Sequence, residues 1–233
     1  MKHVKFRPWK GDNYENGFRG KKILVLGDSH YCKKECVVGG RCHPKCEYIK
    51  MINGTCDSMT VDLISKEYLE YRYGNLPTHN DRNERISYNY LKTLLCFERN
   101  VCGCSTSRED SFDFWHSIIF YNYKQHAQSS WNEARETTAV EYQEYRTAFE
   151  EVLEEYKPDY IIVWGKNSFS NEKTVAEIEY NNVYRAPKKE FSIIDGDTTR
   201  IIPALIVEHP SSANGKSRGK WHSILREFLE LND

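Results

Sequence analysis

Residues 23–26, 161–164 and 204–207 are unbroken apolar runs, and each stops abruptly at a glycine or a polar residue: Gly27-Asp28, Gly165-Lys166 and Glu208-His209. An alternating pattern would describe strands with one wet face. Unbroken runs describe strands buried on both faces, as in a parallel sheet sandwiched between helices. At four residues each, the runs fall far short of the ~18–20 apolar residues that cross a bilayer. The intervening segments read as the covering helices. Residues 59–73 set Val61, Ile64, Tyr68 and Tyr71 at helical spacing and close on Gly74-Asn75. A second helix is predicted over 86–98. Residues 138–156 carry Val140, Tyr145, Phe149, Val152, Leu153 and Tyr156 on one stripe and stop before Pro158. Residues 219–231 carry Trp221, Ile224, Leu225, Phe228 and Leu231 in the same way. Further strands are predicted over 117–121 and 160–164, and Asp195-Gly196 marks a hairpin that feeds the last apolar run. The expected fold is therefore α/β: three layers, α/β/α, around a central, mainly parallel four-stranded sheet. A chain of 233 residues can carry it as one domain spanning 1–233.

Cysteine usage adds an element that this core does not explain. Of eight cysteines, five (Cys32, Cys36, Cys42, Cys46 and Cys56) fall within residues 32–56, while Cys96, Cys102 and Cys104 come later. The opening MKHVKFRPWK has no apolar stretch of the kind that drives secretion, so the expected location is cytoplasmic, where thiols stay reduced. Clustered thiols there read as metal ligands. Cys32-x3-Cys36-x5-Cys42-x3-Cys46 gives two close pairs at spacings a tetrahedral zinc site tolerates, and Gly39-Gly40 permits a tight reversal between them. Cys56 or His43 can stand in for one ligand. The segment is too poor in apolar residues to hold itself together, which makes it a metal-binding insertion at about 32–56.

Charge is near balance, at −1, but unevenly spread: residues 1–50 sum to +7, residues 133–159 to −6, and residues 209–226 hold four bases and no acid. One basic face on a neutral, monomeric protein suits a polyanionic partner, and no membrane partner is expected. An aromatic content of 13% excludes a disordered chain.

In an open α/β sheet the ligand crevice lies at the carboxyl ends of the strands. Those ends carry Gly27-Asp28-Ser29-His30-Tyr31, Phe120-Tyr121-Asn122, Gly165-Lys166-Asn167 and Glu208-His209-Pro210-Ser211-Ser212. One acid, one carboxamide and one imidazole would thus converge. The order and type of GDSHY, FYN, IIVWG and HPSS resemble the motifs of the uracil-DNA glycosylase superfamily, over residues 21–31 and 117–231 with the cysteine-rich and helical stretch between. In the best-known branch of that family the acid sits one position later, where this chain has Ser29, and cysteines occupy the region that normally supplies a stacking Phe. The resemblance implies removal of a uracil or modified base from DNA, a chemistry that could also serve defence against phages with modified bases, and, since some branches carry one, a [4Fe–4S] cluster as the alternative to zinc. It implies that Asp28 orients water or stabilises cationic sugar, that His209 donates to the leaving base, and that Asn122 reads the base edge. Tyr31 would screen the base, with Phe120, Tyr121 and Tyr123 as further aromatic candidates. Ser211 and Ser212 would bond DNA phosphates. Lys216 and Arg218, in the basic loop beyond, supply counter-charge or a wedge.

Two other readings follow from the same residues. Gly27-Asp28-Ser29 with Gly165-Lys166-Asn167 also resembles the GDSL/SGNH esterases, with Ser29 as nucleophile. That family needs an Asp-x-x-His pair near the C-terminus, and the match here is Asp113–His116, in mid-chain. A non-catalytic, zinc-containing nucleic-acid-binding protein is the third reading.

Overall fold

The computed structural model describes residues 1–31, 37–38, 41–42, 59–73, 88–103, 107–128, 137–165, 174–180, 184–212 and 218–231. Their centre is a seven-stranded sheet. In chain order its strands are β1 (Trp9–Lys10), β2 (Ile23–Gly27), β6 (Ile118–Asn122), β8 (Tyr160–Trp164), β9 (Ala176–Tyr180), β10 (Tyr184–Asp195) and β11 (Thr198–Val207). Their spatial order is β1-β6-β2-β8-β11-β10-β9. Pairs β2/β6, β2/β8 and β8/β11 are parallel, whereas β1/β6, β10/β11 and β9/β10 are antiparallel. Four small strands lie outside the main sheet: β3 (His30–Tyr31) pairs with β7 (Ala127–Gln128), and β4 (Val37–Val38) pairs with β5 (Arg41–Cys42).

The apolar runs split between the two faces with the two-residue period of a strand. Ile23 and Val25 join Ile118, Phe120, Ile162, Trp164, Leu205 and Val207 in one core. Leu24 and Leu26 join Ile119, Tyr121, Ile161, Val163, Ala204 and Ile206 in the other. Over the first face lie α1 (residues 59–73, with a widened π-helical turn at Leu63–Leu69), α2 (Tyr88–Cys102), α3 (Arg108–His116) and α5 (Arg218–Phe228). The second is covered by α4 (Ala139–Tyr156), through Tyr145, Phe149, Val152 and Leu153. Thr138 caps α4 by accepting from the Glu141 amide while the Glu141 carboxylate accepts from the Thr138 amide.

The expected sheet of four strands is thus too small. β1 has two residues, below any readable period, and β9 buries only Ile178 among its described side chains. Helix α3 (REDSFDFWH) also escaped prediction because its apolar content is low and its burial comes from Phe114 and Trp115 alone among the large side chains. Val140, expected on the buried stripe of α4, is 70% exposed. Val37–Val38 and Arg41–Cys42 pair antiparallel, and Gly39-Gly40 between them lie outside the described residues. Cys32, Cys36, Cys46, Cys56 and His43 lie outside the described residues, as does the side chain of Cys42. No helix among the described residues is long and apolar enough to cross a membrane.

One buried carboxylate fastens three of the covering helices. Glu98 of α2 is fully buried and accepts from the Tyr68 hydroxyl of α1, the Tyr73 hydroxyl (3.1 Å) and the Trp115 indole N–H of α3 (3.0 Å). The Arg72 guanidinium stands 3.5 Å from its other oxygen. Removing one partner of such a cluster strands the rest without water. Glu98→Ala is expected to destabilise the fold by about 3–5 kcal/mol in urea unfolding, with Glu98→Gln costing much less because it keeps an acceptor.

Candidate active site

Because β6, β2, β8 and β11 run parallel, their carboxyl ends meet at one edge of the sheet. The strand period then selects a face. Gly27 and Asn122 follow Val25 and Phe120 by two residues, and so belong to the first face, with Trp164. His209 joins them: its ring meets the Trp164 indole edge-on at 5.7 Å.

Gly27 stands opposite Asn122 in the ladder. A Cβ at position 27 would fall 2.2 Å from Asn122 Oδ1 and 3.2 Å from the tip of the Phe120 ring. The glycine is required there because the amide occupies its side-chain space. Beyond the strand ends the ladder continues, with the Tyr123 amide donating to the Gly27 carbonyl (2.9 Å) and the Lys124 amide to the Asp28 carbonyl (2.9 Å). Asp28 is thereby fixed beside Lys124. Its Oδ2 accepts from the Ser29 hydroxyl (2.6 Å) and from Lys124 Nζ (3.0 Å).

His209 has a defined protonation state. Its Nδ1 lies 3.2 Å from the Ser211 amide, which can only donate, and 2.7 Å from Ser211 Oγ. Nδ1 therefore carries the lone pair, and in the neutral ring the proton sits on Nε2. Burial holds the His209 pKa below its ordinary value, with the Asp28 charge opposing the shift. The imidazole is a neutral Nε2–H donor at neutral pH.

A second imidazole backs the amide. His30 is 2% exposed, packs against the Phe6 ring at 4.3 Å and has Thr60 Oγ1 of α1 3.1 Å from Nε2. Asn122 Nδ2 approaches both ring nitrogens at 3.4 Å, while the Asn122 backbone carbonyl accepts from Gln125 Nε2 at 2.8 Å. Trp164 packs on Phe97 and Phe120, and its buried indole N–H has no hydrogen-bond partner among the described residues.

Of the residues expected from the sequence, Asp28, Asn122 and His209 come together at this edge. Phe120 is fully buried between Trp115 and Trp164, so it forms the floor under the amide, not an open stacking surface. Tyr121 and Tyr123, expected as aromatic candidates, are instead buried on the opposite face, away from this site. Tyr31 lies in β3, its side chain outside the described residues. Ser211 is exposed and contacts His209, and the Ser212 amide donates to the His209 carbonyl (2.8 Å). Lys216 lies outside the described residues, and Arg218 opens α5 with its side chain likewise undescribed. Asp113 and His116 end α3 just ahead of β6, at the opposite edge of the sheet from Ser29. Lys124 and His30 were missed as site residues, since each owes its place to pairing between distant strands.

His30 gives the site a pH signature. Burial drives its pKa from 6.5 to about 3. The unfolded chain takes up this proton below about pH 6.5 and the folded chain does not, so the stability present above pH 6.5 falls as the pH drops toward 3. His30→Gln is expected to remove roughly one proton, or ~1.4 kcal/mol per pH unit, from the slope of stability against pH over that window, read by urea unfolding.

No protein-family model matches the chain, and comparison with curated proteins finds no match either.

Proposed function

We propose that the chain is a DNA glycosylase that hydrolyses the N-glycosidic bond of a flipped-out uracil or modified base and leaves an abasic site. The reading is carried by the His209 tautomer: an imidazole held neutral by burial, with Nδ1 occupied by Ser211 and its one proton on Nε2, beside an ionisable carboxylate and a base-reading amide. Breaking the C1′–N bond sends the electron pair to the base and leaves positive charge on the sugar. Water then gives its oxygen to C1′, and its remaining proton leaves to solvent or base. Asp28 stabilises the cationic sugar and orients the water, the His209 Nε2–H meets the negative charge growing on the base, and Asn122 binds the base edge. Each interaction strengthens as charge develops, which lowers the barrier more than it deepens ground-state binding. No covalent enzyme intermediate is needed. Extrusion brings the base to the groups at the strand ends.

The Ser29 hydroxyl donates to a carboxylate, and the nearby imidazole is engaged by Ser211. That arrangement supports the glycosylase over the esterase, which needs an imidazole on its serine. The zinc at Cys32, Cys36, Cys42 and Cys46, with the iron–sulfur cluster as its alternative, stays a proposal resting on spacing and on the antiparallel pairing of β4 with β5.

The test uses DNA oligonucleotides carrying uracil and a panel of modified bases, with alkali to reveal abasic sites. Asp28→Asn and His209→Gln are each expected to lower the single-turnover rate by roughly 10²–10³ with DNA binding nearly intact, and Ser29→Ala far less. Indispensable Ser29 with replaceable Asp28 would favour the esterase.

DNA engagement has a separate test. If Lys216 and Arg218 meet phosphates, the double alanine variant is expected to bind DNA more weakly and to flatten the dependence of log affinity on log salt by up to about two contacts' worth. Unchanged affinity and slope would make the loop an ordinary solvated one.

A further inference from the structure

We infer that Lys124 is a positioning residue of this reaction: its ammonium holds one oxygen of the Asp28 carboxylate and so aims the other at the sugar and the attacking water. The inference rests on the glycosylase reading above and assigns a role to a residue that none of the four resembling motifs contains.

The two charged groups stand 3.0 Å apart, and both are largely withdrawn from water, with side-chain exposures of 22% for Lys124 and 29% for Asp28. Lys124 Nζ and the Ser29 hydroxyl both donate to Oδ2. With Oδ2 taken twice, carboxylate rotation is locked. The backbone fixes the same relationship. The Lys124 amide donates to the Asp28 carbonyl, one step beyond the Tyr123–Gly27 bond and the Asn122–Gly27 pair. A single register therefore sets Asn122, Asp28 and Lys124 together. This is the support that a catalytic group needs if it is to sit within a fraction of an ångström of its working position.

There is also an electrostatic reason for a cation here. A carboxylate that must stay ionised while DNA phosphates approach is opposed by their charge, and His209, neutral, offers no compensation. The ammonium supplies it at hydrogen-bond range. Lys124 could instead read as one more phosphate contact, and that alternative behaves differently: phosphate contacts govern affinity and its salt dependence, whereas a group acting through Asp28 governs rate.

The experiment measures single-turnover base release and DNA affinity across salt for wild type, Lys124→Gln, Lys124→Arg and Asp28→Asn/Lys124→Gln. Lys124→Gln is expected to slow base release by roughly 10–10²-fold, the scale of a small misplacement of a reacting group, with affinity and salt slope little changed. Lys124→Arg is expected to recover most of the rate, and Lys124→Gln to cost nothing further once Asp28 is Asn. Full rate in Lys124→Gln, or a loss confined to affinity and salt slope, would overturn the inference and leave the glycosylase reading standing. A wild type that releases no base from any DNA in the panel would overturn both.

Discussion

The Asn122 amide fills the space that a side chain at position 27 would need, and the rest of the site is arranged around that contact. It exists because β2 and β6 are adjacent, parallel and in a register that sets Gly27 against Asn122. Shifting that register by one residue would turn Asn122 toward the α4 face and put Tyr121 over the glycine. The apolar alternation of ILVLG and IIFYN prevents the shift, since each face of both strands is buried against its own set of helices. The energy that fixes the amide thus comes from core packing several residues away. The site itself is free to hold polar groups that contribute little to stability.

Burial acts on the two site imidazoles in the same direction but to different ends. For His30, desolvation is the whole of the shift, and the ring serves as a neutral wall against Asn122. For His209, the Asp28 charge opposes desolvation, and the neutral form prevails together with a lone pair committed to the Ser211 amide. Asp28 is served oppositely, by a cation at hydrogen-bond distance. The edge of the sheet therefore holds both a neutral donor and a paired carboxylate whose charge reaches it. That is the distribution of charge a bond breaking into cation and anion requires, with donor and acceptor already in place before the charge appears.

Legibility in the sequence followed burial. Residues 160–164 match β8 end for end, and 138–156 match α4 to within one residue, because a doubly buried strand and a capped helix declare themselves by pattern alone. β1, β9 and α3 lack such a pattern, and their places come from tertiary pairing: Trp9 opposite Phe120, Ile178 opposite Ala186, and Trp115 on Glu98. The same division holds in the site. Asp28, Asn122 and His209 could be read because each directly follows a legible strand. Lys124 could not, since a lysine two residues past a strand end is an ordinary surface residue until β2 is known to lie beside β6. Nor could the tautomer of His209, which depends on a turn that brings the Ser211 amide back to Nδ1.

The covering helices extend this dependence beyond the sheet edge. His30 meets Thr60 near the start of α1, and α1 is fastened at its far end to Glu98 through Tyr68 and Tyr73. Between Thr60 and Tyr73 the helix widens into its π-helical turn at Leu63–Leu69, where Ile64, Tyr68 and Leu69 remain buried in the first-face core. A widened turn rotates the residues on either side of it relative to a regular helix. Thr60 and Tyr68 can then satisfy partners on different elements at once, Thr60 on the strand-end imidazole and Tyr68 on the carboxylate of α2. The neutral wall behind Asn122 is consequently set by the packing of α1, α2 and α3 as much as by the strand that carries His30.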